Sequence, residues 1–120
     1  MSKSYLPLFR PGDTVTFNVT AAVTAGQVVQ VGATDMSVAP AAAASASVVG
    51  VAGHDAAIGD KLTVEVGKPI HELMAVGAIT RGEKLEAAAS GGVRTLAEGS
   101  ANFLALTSAA DGASVRAIQL

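Results

Sequence analysis

The sequence has no cysteine, no tryptophan and only four aromatic residues, three Phe and one Tyr, in 120 positions. Without cysteine, a disulfide framework and a thiolate metal centre are both excluded. Charged residues make up only 15% of the chain and nearly cancel, leaving a net charge of −2 and an isoelectric point near 5.5. No cluster of Lys and Arg occurs, so the electrostatic footprint of a nucleic-acid-binding surface is missing. No apolar run approaches the about 18 residues of a membrane helix. The apolar run from Tyr5 to Phe9 is broken by Pro7 and is too short for the core of a secretion signal, so the chain is expected to stay in the cytoplasm of the cell that makes it. Bulk is scarce as well. Half the residues are apolar, but most are Ala and Val. Each small side chain contributes little at about 25 cal/mol per Å² buried, so stabilisation by partners is expected.

What the chain does have is one recurring device. A glycine, two residues, a Val or Leu, one residue and a further small or apolar residue occur at Gly12 (GDTVTF), Gly26 (GQVVQV), Gly59 (GDKLTV), Gly82 (GEKLEA) and Gly112 (GASVRA). Glycine enters a turn at positive φ without steric cost. The alternation behind it puts Val15 and Phe17, Val29 and Val31, or Leu62, Val64 and Val66 on one face, with Thr14, Thr16, Lys61, Thr63 and Glu65 on the other. The glycines stand 14, 33, 23 and 30 residues apart, which is not the fixed period of a solenoid. Short alternating strands joined by glycine turns predict a mainly antiparallel all-β domain, a small barrel or sandwich, over residues 11–120, with at most two short helices.

The intervals fit that reading. Ser47 to Ala52, Ile70 to Val76, Val93 to Leu96, Ala101 to Leu106 and Ser114 to Leu120 read as further strands, with one helical turn over His71 to Met74 as the alternative for the second of these, and Ser90-Gly91-Gly92 reads as a hairpin turn. The Ala-rich segment 39–47 reads as a loop, or as a short helix starting after Pro40. Residues 1–10 differ from the rest. They hold Pro7, Tyr5 and Phe9, and proline favours extended backbone while preventing helix. This segment is either an edge folded over its own core or an extended arm whose Tyr5, Leu6, Leu8 and Phe9 bind a neighbouring molecule, with Arg10 pairing to a carboxylate at the rim.

Candidate chemistry is thin. His54-Asp55 and His71-Glu72 are adjacent His–carboxylate pairs, but neighbours in a strand point to opposite faces and do not converge on a metal. Both read as surface histidines. No Gly-x-Ser-x-Gly elbow occurs, and the glycines open strands rather than phosphate-binding helices. Asp13, Asp60 and Glu83, each just after a turn glycine, read as turn acceptors of backbone hydrogen bonds or as solvated groups. No enzyme, cofactor, metal or small-molecule substrate is predicted. A barrel-sandwich carrier domain is the alternative, with Lys61 after Asp60 the nearest approach to its modified lysine; no Met-Lys-Met occurs.

In their order, the glycine segments resemble a family. Pro11-Gly12-Asp13-Thr14-Val15 opens the match; Gly50 to Gly67, containing Asp55-Ala56-Ala57-Ile58-Gly59-Asp60, continues it; Ala78-Ile79-Thr80-Arg81-Gly82-Glu83-Lys84-Leu85 follows; and Ala105 to Leu120 approximates its end. The chain resembles the capsid decoration proteins of tailed bacteriophages, also called cement or head-stabilising proteins. The resemblance covers most of the chain beyond the arm and leaves the Ala-rich segment outside. It implies a β-tulip-type antiparallel domain, with the major capsid protein and two further copies of itself as partners. The trimers would occupy threefold and quasi-threefold positions on the outer capsid surface of the virion and hold the shell against genome pressure.

Overall fold

The computed structural model describes residues 14–120, so the arm proposed for residues 1–10, Gly12 and Asp13 lie outside the described residues. Ten strands follow in order: β1 (Thr14–Val19), β2 (Val28–Val31), β3 (Ser37–Pro40), β4 (Val48–Ala52), β5 (Lys61–Glu65), β6 (Ile70–Met74), β7 (Lys84–Ala87), β8 (Val93–Thr95), β9 (Phe103–Ala105) and β10 (Ser114–Gln119). The one helical element among the described residues is a 3-10 turn, Ala89–Gly91, which joins β7 to β8 where a hairpin was expected. The architecture is all-β, as the alternation predicts.

The strands form two sheets of five. The first closes into a barrel in the order β1-β3-β2-β4-β5, and the second runs β6-β10-β9-β7-β8. Read around its closure, the barrel has the same order as the second sheet: β1 corresponds to β6, β5 to β10, β4 to β9, β2 to β7 and β3 to β8. Even the parallel contact that closes the barrel, Val19 beside Val38, recurs as the parallel bridge of Ala75 with Val93. The chain is therefore a tandem repeat of one five-stranded unit. This explains the uneven glycine spacing: each unit uses the turn twice, before β2 and β5 in the first and before β7 and β10 in the second.

The turns themselves are near-identical. Gly26, Gly59, Gly82 and Gly112 have φ of 84°, 88°, 91° and 80°. Each donates its N–H to a strand carbonyl far along the chain: Gly26 to Ala52, Gly59 to Val19, Gly82 to Ala105 and Gly112 to Ala75, at 2.8–3.0 Å. Just before each glycine the two turns of a unit bond to each other, Val23 with Ala56 and Ile79 with Ala109. The loops thereby cross over the barrel end and bring Val23, Ala56 and Ile79 into the core.

Core positions repeat as well. Val19, Val23, Val29, Val38, Ala52, Ala56, Leu62 and Val64 fill the barrel of the first unit, and Ala75, Ile79, Leu85, Val93, Ala105, Ala109, Val115 and Ala117 are their counterparts under the sheet of the second unit. The second core also contains Leu73, Phe103 and Ala87, and these pack against Val28, Val51 and Ala41 from the outside of the first barrel. The two units thus share a cluster.

Two details depart from the expected pattern. Val31 does not join Val29 on the buried face, because the β2–β4 register slips between Val29 and Gln30; a bulge of this kind turns Val31 to solvent and leaves Val28 and Val29 both buried. Strand β3 was not anticipated, since Pro40 ends it; the Ala-rich segment after it is a loop with no helix. Proline is tolerated there because it stands at the strand's last position.

A Cβ at Gly59 or Gly82 would meet nothing within 4 Å, so only the backbone opposes a side chain there. We expect Gly59→Ala and Gly82→Ala each to lose about 1–2 kcal/mol from the left-handed φ alone, measured by urea unfolding. Since one turn lies in each unit, the double variant should lose close to the sum.

Candidate functional site

The residues flagged by the sequence separate into several places. His54 is exposed, its Nδ1–H donating to Asp55 O (2.8 Å) and its Nε2 accepting from Thr63 N–H (3.2 Å). His71 differs from expectation: it is half-buried, edge-on to Phe103 with ring centroids 6.3 Å apart, and its Nε2 lies 3.1 Å from Gln119 Oε1. It faces inward because the register of β6 puts His71 and Leu73 on the core side. Among the described residues no three His, Asp or Glu side chains gather, and no pocket is enclosed.

The acids after the turn glycines accept backbone hydrogen bonds. Asp60 Oδ2 takes Ala57 N–H (3.0 Å) and Glu83 Oε1 takes Thr80 N–H (2.6 Å); Gln27 does the same for Thr24 (2.9 Å). The residue after the glycine thus closes its own turn, reaching back three residues. A second brace links the paired turns: Asp55 Oδ1 accepts from Ala25 N–H (2.8 Å) in the first unit and Ser108 Oγ from Arg81 N–H (3.1 Å) in the second, while Asp111 accepts from Gly77 N–H ahead of the turn (2.8 Å). Lys61 Nζ donates to Asn18 Oδ1 across the β1–β5 pair, at the start of a strand rather than at a hairpin tip.

One charged residue escaped the sequence reading. Glu86 alternates with Leu85 and Ala87 and so belongs on the face away from the second core, yet its side chain is fully buried. The loop after β8 folds over it. Its Oε1 accepts the N–H groups of Ala97, Glu98 and Gly99 at 2.8–3.0 Å, and its Oε2 is held by Arg94 at 2.7 Å. Those backbone donors, with the guanidinium, pull the Glu86 carboxyl down to about 2 against the opposition of burial. The signal was present in the hairpin: with the turn at Gly91, Glu86 stands directly opposite Arg94. The loop so fixed packs on the Ala-rich segment of the first unit. A Cβ on Gly99 would fall 2.7 Å from Ala44 Cα, and Ala44 N–H donates to Ala87 O (2.8 Å). Glu86 is a structural keystone between units rather than a chemical site.

Apolar side chains remain on the surface. Of the nine large ones exposed among the described residues, Val31, Met36 and Ile58 are on the first unit, and Ile70, Met74, Val76, Leu96, Leu106 and Leu120 on the second.

A depressed carboxyl stabilises the fold above its unfolded value near 4.5, and that contribution disappears as pH falls towards about 2. We expect the melting temperature of the wild type to drop through that interval and Glu86→Gln to lose much of the drop, being already less stable at pH 7. Glu72→Ala, which removes an exposed pair with Arg116 (3.4 Å), should cost under ~1 kcal/mol.

Comparison with known proteins gives the chain a setting. The family profile described as phage cement protein matches residues 9–120. Among solved structures, the N base of the head fiber gp8.5 in bacteriophage phi29 has the same fold, with a TM-score of 0.71 and 20% sequence identity over 89% of this chain and 92% of that one. No curated protein matches.

Proposed function

Because the chain belongs to the phage cement protein family, structural components of the virion on the exterior of the head, we propose that it clamps the shell as trimers at threefold and quasi-threefold positions and stabilises it against the pressure of the packaged genome. The match of the family profile from residue 9 to the last residue carries this reading. The major capsid protein is the proposed partner, and the protein does no catalysis.

The physics is straightforward. A protein that binds only the mature lattice stabilises that lattice by linkage, in proportion to the logarithm of its free concentration over its dissociation constant. Individually weak contacts suffice if one trimer touches several capsid subunits, because each later contact forms at high effective concentration. Closed symmetric association also suits a core of Ala and Val, whose side chains bury little area each. The proposed contact residues are Tyr5, Leu6, Leu8, Phe9 and Arg10, acting on the capsid or on a neighbouring copy. Buried aromatic anchors commonly cost ~2 kcal/mol or more when truncated.

Two measurements test the proposal. Light scattering should give the mass of three chains, either in free solution or after release from shells. Deletion of residues 2–10 should leave the melting temperature of the free protein within a few degrees while abolishing co-sedimentation with undecorated heads. Full co-sedimentation of the deletion variant would remove the arm as anchor.

A further inference from the structure

The tandem repeat offers a comparison inside one molecule. In the first unit the outward positions of β1 and β5 are Thr14, Thr16, Asn18, Lys61, Thr63 and Glu65, as a solvated sheet face requires. The corresponding strands of the second unit, β6 and β10, carry Ile70, Glu72 and Met74 beside Ser114, Arg116 and Ile118. Strand β9 adds Leu104 next to Ile118, so Ile70, Ile118 and Leu104 form one continuous apolar row across three strands. Ile70 and Met74 are 61% and 63% exposed, and Glu72 and Arg116 neutralise each other in the middle of the face. Same topology and same register give a wholly polar face in one unit and, in the other, a face on which Ile70, Met74 and Ile118 replace three of the six polar residues. Fold stability does not ask for the difference, since the polar version folds.

The face also has an open side. Among the described residues β6 pairs with β10 along its whole length, whereas its other side is met only at the Met74 end, where Ala75 bridges Val93, Val76 N–H donates to Val93 O (2.8 Å) and Gly92 lies against Met74 O; the stretch from Ile70 to Glu72 has no partner strand on that side. Unpaired strand edges accept extended peptide.

Thirteen residues precede Thr14, and they include the largest group of bulky apolar side chains outside the described residues: Tyr5, Leu6, Leu8 and Phe9. Thr14 pairs with Glu65, only five residues ahead of Ile70, so this segment joins the fold next to where β6 begins. At about 3.3–3.6 Å per residue, thirteen residues reach at most ~45 Å, comparable to the long dimension of the molecule, 52 Å. That reach exceeds the two shorter dimensions of the molecule, 38 and 23 Å, so a surface on an adjoining copy is within its range.

We propose that the outer face of β6, β10 and β9 receives residues 5–9 of a second copy of this chain, which lie along the open edge of β6 with their apolar side chains on the Ile70–Ile118–Leu104 row. This rests on the reading that residues 2–10 act between chains, and it selects the neighbouring copy rather than the capsid as their acceptor. Pro7, which has no N–H, suits an added outermost strand.

The test uses the full chain with a photoreactive phenylalanine analogue at Phe9, mixing copies of natural and heavy-isotope composition. Light–heavy crosslinks from position 9 to peptides containing Ile70 to Met74 or Leu104 to Ile118 are expected. Crosslinks confined to one copy, to other surfaces or, on decorated heads, to the capsid protein alone would overturn the proposal. As a second readout, Ile70→Glu with Met74→Glu should weaken self-association in light scattering at least tenfold. The matched pair on the first unit, Thr14→Glu with Asn18→Glu, should leave it unchanged. Equal effects of the two pairs, or none, would sink the idea. Co-sedimentation of the wild type with undecorated heads is read separately: its failure counts against the capsid function and leaves the crosslink result standing.

Discussion

A single backbone hydrogen bond, made four times, organises the molecule. The amide of a turn glycine reaches across to a carbonyl at the end of a strand in the same unit, and only a residue at positive φ aims it there. From that bond follow the mutual bridge between paired turns, the closing of the barrel end, and the burial of Val23, Ala56 and Ile79 beneath it. A chain with so few large side chains gains from such economy: well-bonded loops cap the core where bulk would otherwise be required.

The second dependence is between units. Their shared cluster is apolar, but its position is fixed by polar chemistry around Glu86. Three backbone amides and Arg94 surround one carboxylate and hold the loop after β8 in the shape that lets Gly99 lie against Ala44. A buried charge is tolerated when every lone pair is used, and here the donors come from a loop that has no regular structure of its own. The cap of one unit becomes the floor on which the other sits.

Much of the fold was legible in the sequence for a local reason. Glycine, an acceptor side chain and period-2 alternation lie within six residues of each other, and each acts on its neighbours. The all-β class, the turns and the strands around Leu62, Leu85 and Val115 are set at that range. What was hidden depends on distance in space. Strand β3 is recognisable only from its partners β1 and β2, and Glu86 reads as a surface residue until the loop at residues 97–99 covers it. The pairing of turns into two units was hidden too, because the bridges of Val23 with Ala56 and Ile79 with Ala109 join distant segments. His71 belongs with these: Phe103, its packing partner, lies on a strand that does not adjoin β6.

The position of β10 has a mechanical consequence. It is the last strand in the chain but not an edge strand, lying between β6 and β9 and bonded to both. Tension applied beyond Gln119 and directed along the strand loads both ladders at once and in shear, so their bonds must fail together rather than open one after another. Under such a pull, rupture is governed by the unfolding rate, not by equilibrium stability. A strand on the rim would peel; this one has to be torn out.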